Sequence, residues 1–281
     1  MRRLATGASG AFVLVLGVVL AACGRGSDEA ANGASARPAG QPAALAGRPP
    51  HVVLLVADDL GYGDVGFTGG DLSTPRLDAL ARESLVLERF YAAPMCTPSR
   101  AQLMTGRNAL SLGMVRNVKP RDDAALPGDA ATVAERLRDR GYRTALIGKW
   151  HLGHDQPGDL PSARGFDASY GHLRGWIDYY THEVDGIRDW HRNGEPLDEP
   201  GYSTRLIANE ACRVIDGHEA ETPLFLVVSF NAPHTPLQAP PDSDAARYGK
   251  ERSADRGSYS AMVEHLDRGI GDVLDALERK G

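Results

Sequence analysis

Five side chains that can hold a cation or move a proton occur in three short clusters of the sequence. Asp58 and Asp59 form the first cluster, Lys149 and His151 the second, and His234 lies in the third. Each cluster follows an apolar run that is typical of a buried strand. Ligands of open α/β sheets bind at the carboxyl ends of the strands, so we expect the three clusters to meet in one pocket.

Taken singly, these residues also have ordinary structural explanations. Adjacent aspartates after a strand are commonly turn or capping residues. A lone histidine is more often a hydrogen-bonded structural residue than a catalyst, and Lys149 is also consistent with a solvated charge. If Asp58 and Asp59 share a pocket floor, their charges repel unless a cation neutralises them, and oxygen ligands suit Ca²⁺ or Mg²⁺. Both interpretations stay open on these residues alone.

A cysteine and an arginine complete the candidate pocket. Cys96 stands just before Pro98, where we expect a helix to begin, and Arg100 lies one helical turn beyond the cysteine. Residues 94–107 read PMCTPSRAQLMTGR, which matches the sulfatase motif C-x-P-S-R followed by x-x-L-x-T-G. A match at every defining position is improbable by accident, so the chain resembles the sulfatase family.

Three further segments carry the same resemblance. Residues 57–66 (ADDLGYGDVG) resemble the family's first metal-binding stretch, 148–153 (GKWHLG) its second active-site motif, and 232–236 (APHTP) its third. The similarity extends from about residue 51 to the end of the chain. It is closest to the arylsulfatase B-type enzymes, which remove sulfate from N-acetylgalactosamine.

The resemblance implies how the nucleophile and the metal would be held. Cys96 would be oxidised to formylglycine, whose hydrated aldehyde is the family's nucleophile. Asp58 and Asp59, with an oxygen of residue 96, would hold Ca²⁺ or Mg²⁺. The cation and the helix N-terminus after Cys96 would bind sulfate oxygens.

The resemblance also assigns roles to the remaining basic side chains. Arg100 would stabilise the formylglycine hydrate and the metal-site carboxylates, and Lys149 would contact the sulfate. His151 would hydrogen-bond the formylglycine hydroxyl and take its proton. His234 would face the leaving-group oxygen as a hydrogen-bond donor or general acid.

The implied function is a sulfuric ester hydrolase that cleaves sulfated sugars or aryl sulfates. Its partners would be a sulfated small molecule or glycan as substrate, and a formylglycine-generating or sulfatase-maturing enzyme. Two alternatives stay open: an inactive fragment or sulfoglycan-binding remnant of a sulfatase, and a formylglycine-dependent phosphonate or phosphodiester hydrolase. The second alternative arises because the same nucleophile suits either tetrahedral anion.

The order of elements predicts an α/β domain, because apolar strands alternate with helices. The resemblance adds an alkaline-phosphatase-like mixed sheet flanked by helices. The region 165–200 breaks the pattern and is expected to form long surface loops, which often carry substrate recognition. Sugar contact and packing are equally consistent with its residues Trp176, Asp178, Tyr179, Tyr180 and His182. The strands are predicted at 52–57, 144–148 and 224–229. The first helix is predicted to begin at Thr74-Pro75 and to carry Leu77, Leu80, Ala81 and Leu85 on its apolar face. Further helices are predicted at 129–140, 203–216 and 258–280.

The family's metal site is incomplete in this sequence. In the family a strand after the last helix delivers a T-D-N-G-like segment that completes the metal shell, and no such segment occurs before Gly281. We therefore expect residues 51–281 to be a truncated N-terminal catalytic domain that is C-terminally incomplete. We expect residues 1–281 alone to show little or no sulfatase activity.

The N-terminus is typical of an exported lipoprotein. Met1-Arg2-Arg3 precede an apolar run at 11–20, which is too short to span a bilayer comfortably. Residues 20–23 (LAAC) resemble a lipobox, so 1–22 would be a signal peptide, Cys23 would be lipidated, and 23–50 would be a tether. The protein would then be anchored to a membrane and face the periplasm or outside. Plain secretory cleavage after Ala22 is the alternative.

Composition adds two expectations. A formal charge of −6 argues against a nucleic-acid surface, so a sulfated substrate must be gripped by local positive charge. An oxidising compartment favours a disulfide between Cys96 and Cys212, but Cys212 lies on the apolar side of a predicted helix, which favours a buried thiol. The sequence leaves both states open.

Overall fold

The computed structural model of the chain describes residues 14–20, 49–219, 221–243 and 254–280. Cys23 and most of the predicted signal peptide and tether lie outside these residues, so the anchor stays a prediction. Residues 14–20 fall within the predicted signal and form a strand that pairs antiparallel with the strand beginning at His51. Within the described ranges, no helix combines the length and the apolar character needed to cross a bilayer.

A seven-stranded mixed sheet lies at the centre of the fold. Its strands are β1 Leu14–Leu20, β2 His51–Asp58, β3 Arg143–Gly148, β4 Ala168–Gly171, β7 His191–Arg192, β8 Glu195–Pro196 and β9 Leu224–Pro233. Two further strands, β5 Glu183–Val184 and β6 Ile187–Arg188, form a separate hairpin. The order in the main sheet is β1-β2-β9-β3-β4-β7-β8, with β2, β9, β3 and β4 parallel and β1, β7 and β8 antiparallel to their neighbours.

Helices cover both faces of this sheet, as the α/β prediction requires. The described helices are α1 Pro75–Arg82, α2 Cys96–Thr105, α3 Val133–Arg138, α4 Ser203–Asp216 and α5 Ala254–Lys280. All ten residues of β9 are buried, because each face of this strand packs against a different apolar cluster. Leu226 and Val228 pack with α4 and α5, whereas Phe225 and Val227 pack with residues of α2 and α3. The continuous apolar run of β9 is explained by this double coverage.

Several predicted boundaries are wrong, and three of them concern helices α1 to α3. Helix α2 begins at Cys96 rather than at Pro98, with Met95 extended at its N-cap. Helix α3 begins at Val133 rather than at 129, because Thr132 accepts from the N–H of Glu135 in a capping box. Leu85 lies beyond the end of α1 and is exposed, so it does not belong to the helix's apolar face.

The prediction of long surface loops at 165–200 is also wrong. This region contains the short strands β4 to β8, and Ile177, Tyr179 and Trp190 within it have no exposed surface. Its aromatic rings pack against one another, as in the edge-to-face pair of Tyr170 and Trp190. Isolated aromatic residues that pack together do not recur along the sequence with the period of a strand or a helix. Their burial is therefore not predicted by the periodicity of apolar residues.

Both cysteines among the described residues, Cys96 and Cys212, carry free thiols. The thiol of Cys212 is half-buried on α4 and donates to the carbonyl oxygen of Asp272 on α5. The structure therefore agrees with the thiol interpretation of Cys212.

We expect Leu226→Ala to lower the free energy of unfolding by about 2–5 kcal/mol, because Leu226 is fully buried in the central strand. Leu110→Ala is the matched control, since Leu110 is 77% exposed and should change stability by less than about 0.5 kcal/mol. Urea denaturation measures both. Equal effects of the two substitutions would contradict the central position of β9.

Candidate active site

The three predicted clusters meet at one edge of the sheet. Strands β2, β9 and β3 are parallel neighbours, with Asp58 in register with Pro233 and Gly148 in register with Ser229. Their carboxyl ends therefore carry Asp58, Lys149 and His234 to the same edge, as the order of elements predicted.

A buried ion cluster forms the floor of the site. Asp58 is fully buried, and Lys149, also fully buried, donates from Nζ to its Oδ2. Arg100 Nη2 lies 3.5 Å from Asp58 Oδ1, while Arg100 Nη1 donates to Lys149 O at 2.8 Å and to Ser229 Oγ at 2.6 Å. Burial alone opposes ionisation of Asp58, but the charges of Lys149 and Arg100 hold the pKa of its carboxyl well below its ordinary value.

Cys96 stands at the first residue of α2, beside this cluster. Its Sγ lies 3.7 Å from Asp59 Oδ1, and burial raises the pKa of the thiol to about 12. The unmodified thiol is therefore protonated near neutral pH and is a poor nucleophile.

The first turn of α2 has few N–H groups left for an anion. The N–H of Thr97 donates to Asn117 Oδ1 at 3.0 Å, and the N–H of Ser99 donates to Met95 O at 3.2 Å. Pro98 has no N–H to offer. The expected binding of sulfate by this helix N-terminus is thereby reduced to the N–H of Cys96 itself.

His151 is held in one tautomer. Its Nε2 lies 2.9 Å from Val118 O, which can only accept, so Nε2 carries the hydrogen and Nδ1 is the basic nitrogen. Nδ1 is buried and has no hydrogen-bond partner in the part of the chain that the structure describes. Burial, together with the nearby charge of Lys149, lowers the pKa of His151 well below its ordinary value. The imidazole is therefore a neutral acceptor.

The backbone of Gly175 packs closely against the ring of His151. A methyl group at residue 175 would lie 2.5 Å from His151 Cε1, which leaves room only for glycine. His151 itself has φ of 59°, a left-handed conformation that costs a non-glycine residue about 1–3 kcal/mol. The backbone is strained at a residue that faces the pocket.

Asp59 has the same left-handed backbone conformation as His151, and its side chain faces His234. Its φ is 61°, and its Oδ2 lies 3.5 Å from His234 Nε2. His234 Nδ1 lies 2.6 Å from Thr235 O, so Nδ1 carries a hydrogen and Nε2 faces the carboxylate. Asp59 and His234 form the more open side of the site.

The site has the composition of a partial cation site. Ligand atoms of Asp58, Cys96 and His234 all lie within 4.8 Å of one another, with Asp59 beside them. Asp58 Oδ1 is buried without a hydrogen-bond partner among the described residues. Carboxylate oxygens suit a hard divalent cation, although two carboxylates supply only part of the six to eight ligands that Ca²⁺ takes.

A third carboxylate, which the sequence did not single out, supports the backbone of His151 on the side away from the pocket. Asp189 is fully buried and accepts from the N–H groups of Leu173 and Arg174 at 3.2 and 2.7 Å. The carbonyl of Leu173 in turn accepts from the N–H of His151 at 3.0 Å. Asp189 occurs in a polar stretch without periodicity, so no sequence signal marks its burial.

The aromatic stretch proposed for sugar contact is largely structural. Tyr179 and His182 are buried, and the ring of His182 stacks on Trp190 at 4.4 Å. Asp178 Oδ1 accepts from the N–H groups of two following residues, as in a turn. For these residues the packing interpretation is correct, whereas Tyr180 is 39% exposed.

Comparisons with known proteins agree with this architecture. The family model described as Sulfatase matches residues 50–281. Arylsulfatase J of Mus musculus is 38% identical over 241 residues, covering 83% of this chain and 40% of that protein. An arylsulfatase of Klebsiella aerogenes is 34% identical over 206 residues, covering 68% of this chain and 44% of that protein.

Among solved structures, the crystal structure of Ps i-CgsB superposes with a TM-score of 0.75 at 37% identity, covering 81% of this chain and 55% of that chain. The fold is thus an alkaline-phosphatase-like α/β fold, as predicted. The chain belongs to the sulfatase family. It spans less than half the length of the two curated relatives described above.

We expect Asp189→Asn to lower the free energy of unfolding by about 1–3 kcal/mol near neutral pH, because buried N–H groups lose a charged acceptor. Burial opposes ionisation of Asp189, but the hydrogen bond from His191 and the nearby His172 hold the pKa of the carboxyl down at about 2. The carboxylate's stabilisation is therefore complete above its ordinary pKa of 3.8 and is lost as the pH falls through 2.

Urea denaturation at successively lower pH measures this effect. The difference between the wild-type protein and Asp189→Asn should shrink below about pH 4. Asp198→Asn is the control, because the Asp198 side chain is 85% exposed. A difference that grows on acidification would contradict the assignment.

Proposed function

We propose that the protein hydrolyses sulfate esters of sulfated sugars or aryl alcohols, with formylglycine at position 96 and a divalent cation at Asp58 and Asp59. One observation carries the proposal: Cys96, within a complete C-T-P-S-R motif, lies beside the buried cluster of Asp58, Lys149 and Arg100. A sugar substrate is supported by a structure of Ps i-CgsB solved in complex with k-i-k-neocarrahexaose.

The atoms of residue 96 stand in for the modified side chain. Sγ occupies the place of a formylglycine hydroxyl, 3.7 Å from Asp59 Oδ1. When present, the cation would supply positive charge to the sulfate oxygens and the hydrated formylglycine would supply the attacking hydroxyl. Asp58 and Asp59 would hold the cation, for which Ca²⁺ or Mg²⁺ fits the oxygen ligands.

Lys149 would bind the sulfate by its remaining donors. Its Nζ has three hydrogens, of which one is directed to Asp58 Oδ2. The other two are available to sulfate oxygens, and the buried environment strengthens such charge-assisted bonds. Arg100 would keep the floor of the site positive through its contact with Asp58. This local charge is what a chain of net charge −6 needs to grip an anion.

His151 would act as the proton acceptor at position 96. Its Nδ1 is the basic nitrogen, because Nε2 donates to Val118 O. Burial and the positive charges of Lys149 and Arg100 keep the ring neutral and weaken it as a base, so it would hold a proton from the hydroxyl of residue 96 only transiently.

His234 would act on the opposite side, at the ester oxygen. Its Nδ1 donates to Thr235 O, and its Nε2 faces Asp59. As the general acid, His234 would pass a proton from Nε2 to the leaving-group oxygen as the sulfur–oxygen bond breaks. Acid and base would then lie on two different histidines.

We further propose that the mature protein is exported and held at a membrane by lipid on Cys23, and that a formylglycine-generating or sulfatase-maturing enzyme converts Cys96. The lipobox-like residues 20–23 and the C-T-P-S-R motif support these partners.

Cys96→Ala should lower kcat/KM for 4-nitrophenyl sulfate more than about a thousandfold, because it removes the nucleophile. The test uses the full-length protein coexpressed with a maturing enzyme, and peptide mass spectrometry detects the aldehyde at position 96. Cys212→Ser is the control and should retain activity, since Cys212 lies on α4 away from the site.

Four outcomes would count against this function. Full activity of Cys96→Ala, or an active protein that keeps its thiol, would exclude the formylglycine nucleophile. Faster turnover of bis(4-nitrophenyl) phosphate than of the sulfate would favour a phosphodiester hydrolase. Retention of sulfated oligosaccharides without turnover would favour a binding remnant.

Calcium should raise the Tm of the full-length wild-type protein by several degrees, because calcium at a hundred times its Kd adds about 2.7 kcal/mol of stability. Asp59→Asn should abolish most of this rise, since it removes a charged ligand. Asp123→Asn is the matched control, because Asp123 is exposed. Differential scanning calorimetry with calcium and with chelator measures the Tm of each protein. A calcium-dependent rise in Tm that is unchanged in Asp59→Asn would exclude Asp59 as a ligand.

A further inference from the structure

Tyr179 joins the aromatic region to the turn that carries His234. Its ring is fully buried and stacks on Tyr202 with a centroid distance of 5.2 Å. Its hydroxyl lies 2.9 Å from Asn231 O and 2.7 Å from His234 O. A phenol has one hydrogen and both neighbours accept, so that hydrogen is shared between two carbonyls of the same turn.

The turn at 231–234, which we name the His234 turn, has one internal bond, from the N–H of His234 to Asn231 O at 3.0 Å. The Tyr179 hydroxyl contacts Asn231 O, which is the acceptor of that internal bond. It also contacts His234 O, the carbonyl oxygen at the end of the turn. The hydroxyl therefore fixes the two carbonyls between which the backbone reverses.

Tyr179 is itself anchored on both sides. Its N–H donates to Gln238 Oε1 at 2.7 Å, and its carbonyl accepts from the N–H of Ser203 at 2.9 Å. Gln238 is held in turn by Asp178, whose Oδ2 accepts from its side chain at 2.5 Å. The hydroxyl is thus attached to a fixed support, and burial raises the pKa of Tyr179 well above its ordinary value, which keeps the hydrogen in place.

The imidazole of His234 has weaker positioning of its own. Its polar contacts in the described residues are the carbonyl and, at 3.4 Å, the hydroxyl of the adjacent Thr235, and, at 3.5 Å, Asp59 Oδ2. His151, by contrast, is held by Val118 O and by the close approach of Gly175. The direction of His234 Nε2 consequently depends on the backbone of its turn.

We propose that Tyr179 is a positioning residue for the leaving-group step: its hydroxyl fixes the His234 turn so that Nε2 reaches the ester oxygen. This inference rests on the proposed function of His234 as general acid. A displaced general acid slows esters of poor leaving groups most, because activated leaving groups need little protonation.

Tyr179→Phe keeps the ring and removes only the hydroxyl. In the full-length mature protein we expect it to lower kcat/KM for phenyl sulfate about tenfold more than for 4-nitrophenyl sulfate. Tyr170→Phe is the matched control, because Tyr170 is also buried and its hydroxyl donates to Glu199 Oε2 rather than to the His234 turn. It should lower kcat/KM for both esters by the same factor.

A double-mutant cycle with His234→Ala shows whether Tyr179 acts through His234. In the His234→Ala background, Tyr179→Phe should change the ratio of the two kcat/KM values less than about twofold. Equal loss on both esters with Tyr179→Phe, the same selective loss with Tyr170→Phe, or additive effects in the cycle would each overturn the inference.

Amide hydrogen exchange separates this inference from the proposed function. Exchange of the His234 N–H should speed up in Tyr179→Phe and stay unchanged in Tyr170→Phe. If the wild-type protein hydrolyses neither ester, the proposed function fails and the leaving-group role fails with it, whatever the exchange shows. If the esters are hydrolysed but exchange in Tyr179→Phe is unchanged, the positioning inference alone is wrong.

Discussion

The site depends on keeping one carboxylate charged in the interior of the protein. An unpaired buried charge costs several kcal/mol, so Asp58 persists as an ion only because Lys149 and Arg100 surround it. These three residues come from the end of β2, the residue after β3 and the helix α2. Charge pairing therefore fixes the relative positions of two strands and the helix that begins at Cys96. Gly148 allows the close approach that this requires, because a side chain there would lie 1.9 Å from Ser229 O.

The same site leaves several polar groups unsatisfied. Among the residues that the structure describes, His151 Nδ1 is buried without a hydrogen-bond partner, and Asp58 Oδ1 and Arg100 Nη2 form an ion pair at 3.5 Å but no hydrogen bond. Most buried polar groups are paired, so a concentration of unpaired ones marks a place built for other atoms. Strained backbone at Asp59 and His151 indicates the same, because strain of this kind persists at sites where function requires it. The pocket is stable only because the surrounding sheet is firmly packed.

Sequence patterns predicted the parts of the fold that repeat. The apolar runs at β2, β3 and β9 indicated buried strands, and the order of elements indicated that polar residues after them would meet. Asp58, Lys149 and His234 do meet at one edge. The sulfatase-like motif was needed for the chemistry, because two aspartates after a strand are equally compatible with a turn.

The sequence patterns gave wrong predictions where the structure depends on individual contacts rather than on a repeating arrangement of residues. The start of α2 was misplaced because Pro98 lies within the first turn of the helix rather than at its first residue. The region 165–200 was taken for surface because its aromatic residues and the buried Asp189 follow no period. Residues of this kind pack by stacking and by hydrogen bonds between distant positions, and neither leaves a local signal.

The two histidines of the site lie in opposite electrostatic surroundings. His151 is deeply buried beside the positive charges of Lys149 and Arg100, which favour its neutral form. His234 is half-buried, and its Nε2 lies 3.5 Å from the carboxylate of Asp59. Under the proposed function, these different surroundings would divide proton acceptor from proton donor between residues of one type. The division needs both rings to keep their directions: His151 keeps its own through Val118 O, whereas His234 depends on a turn that other residues must hold.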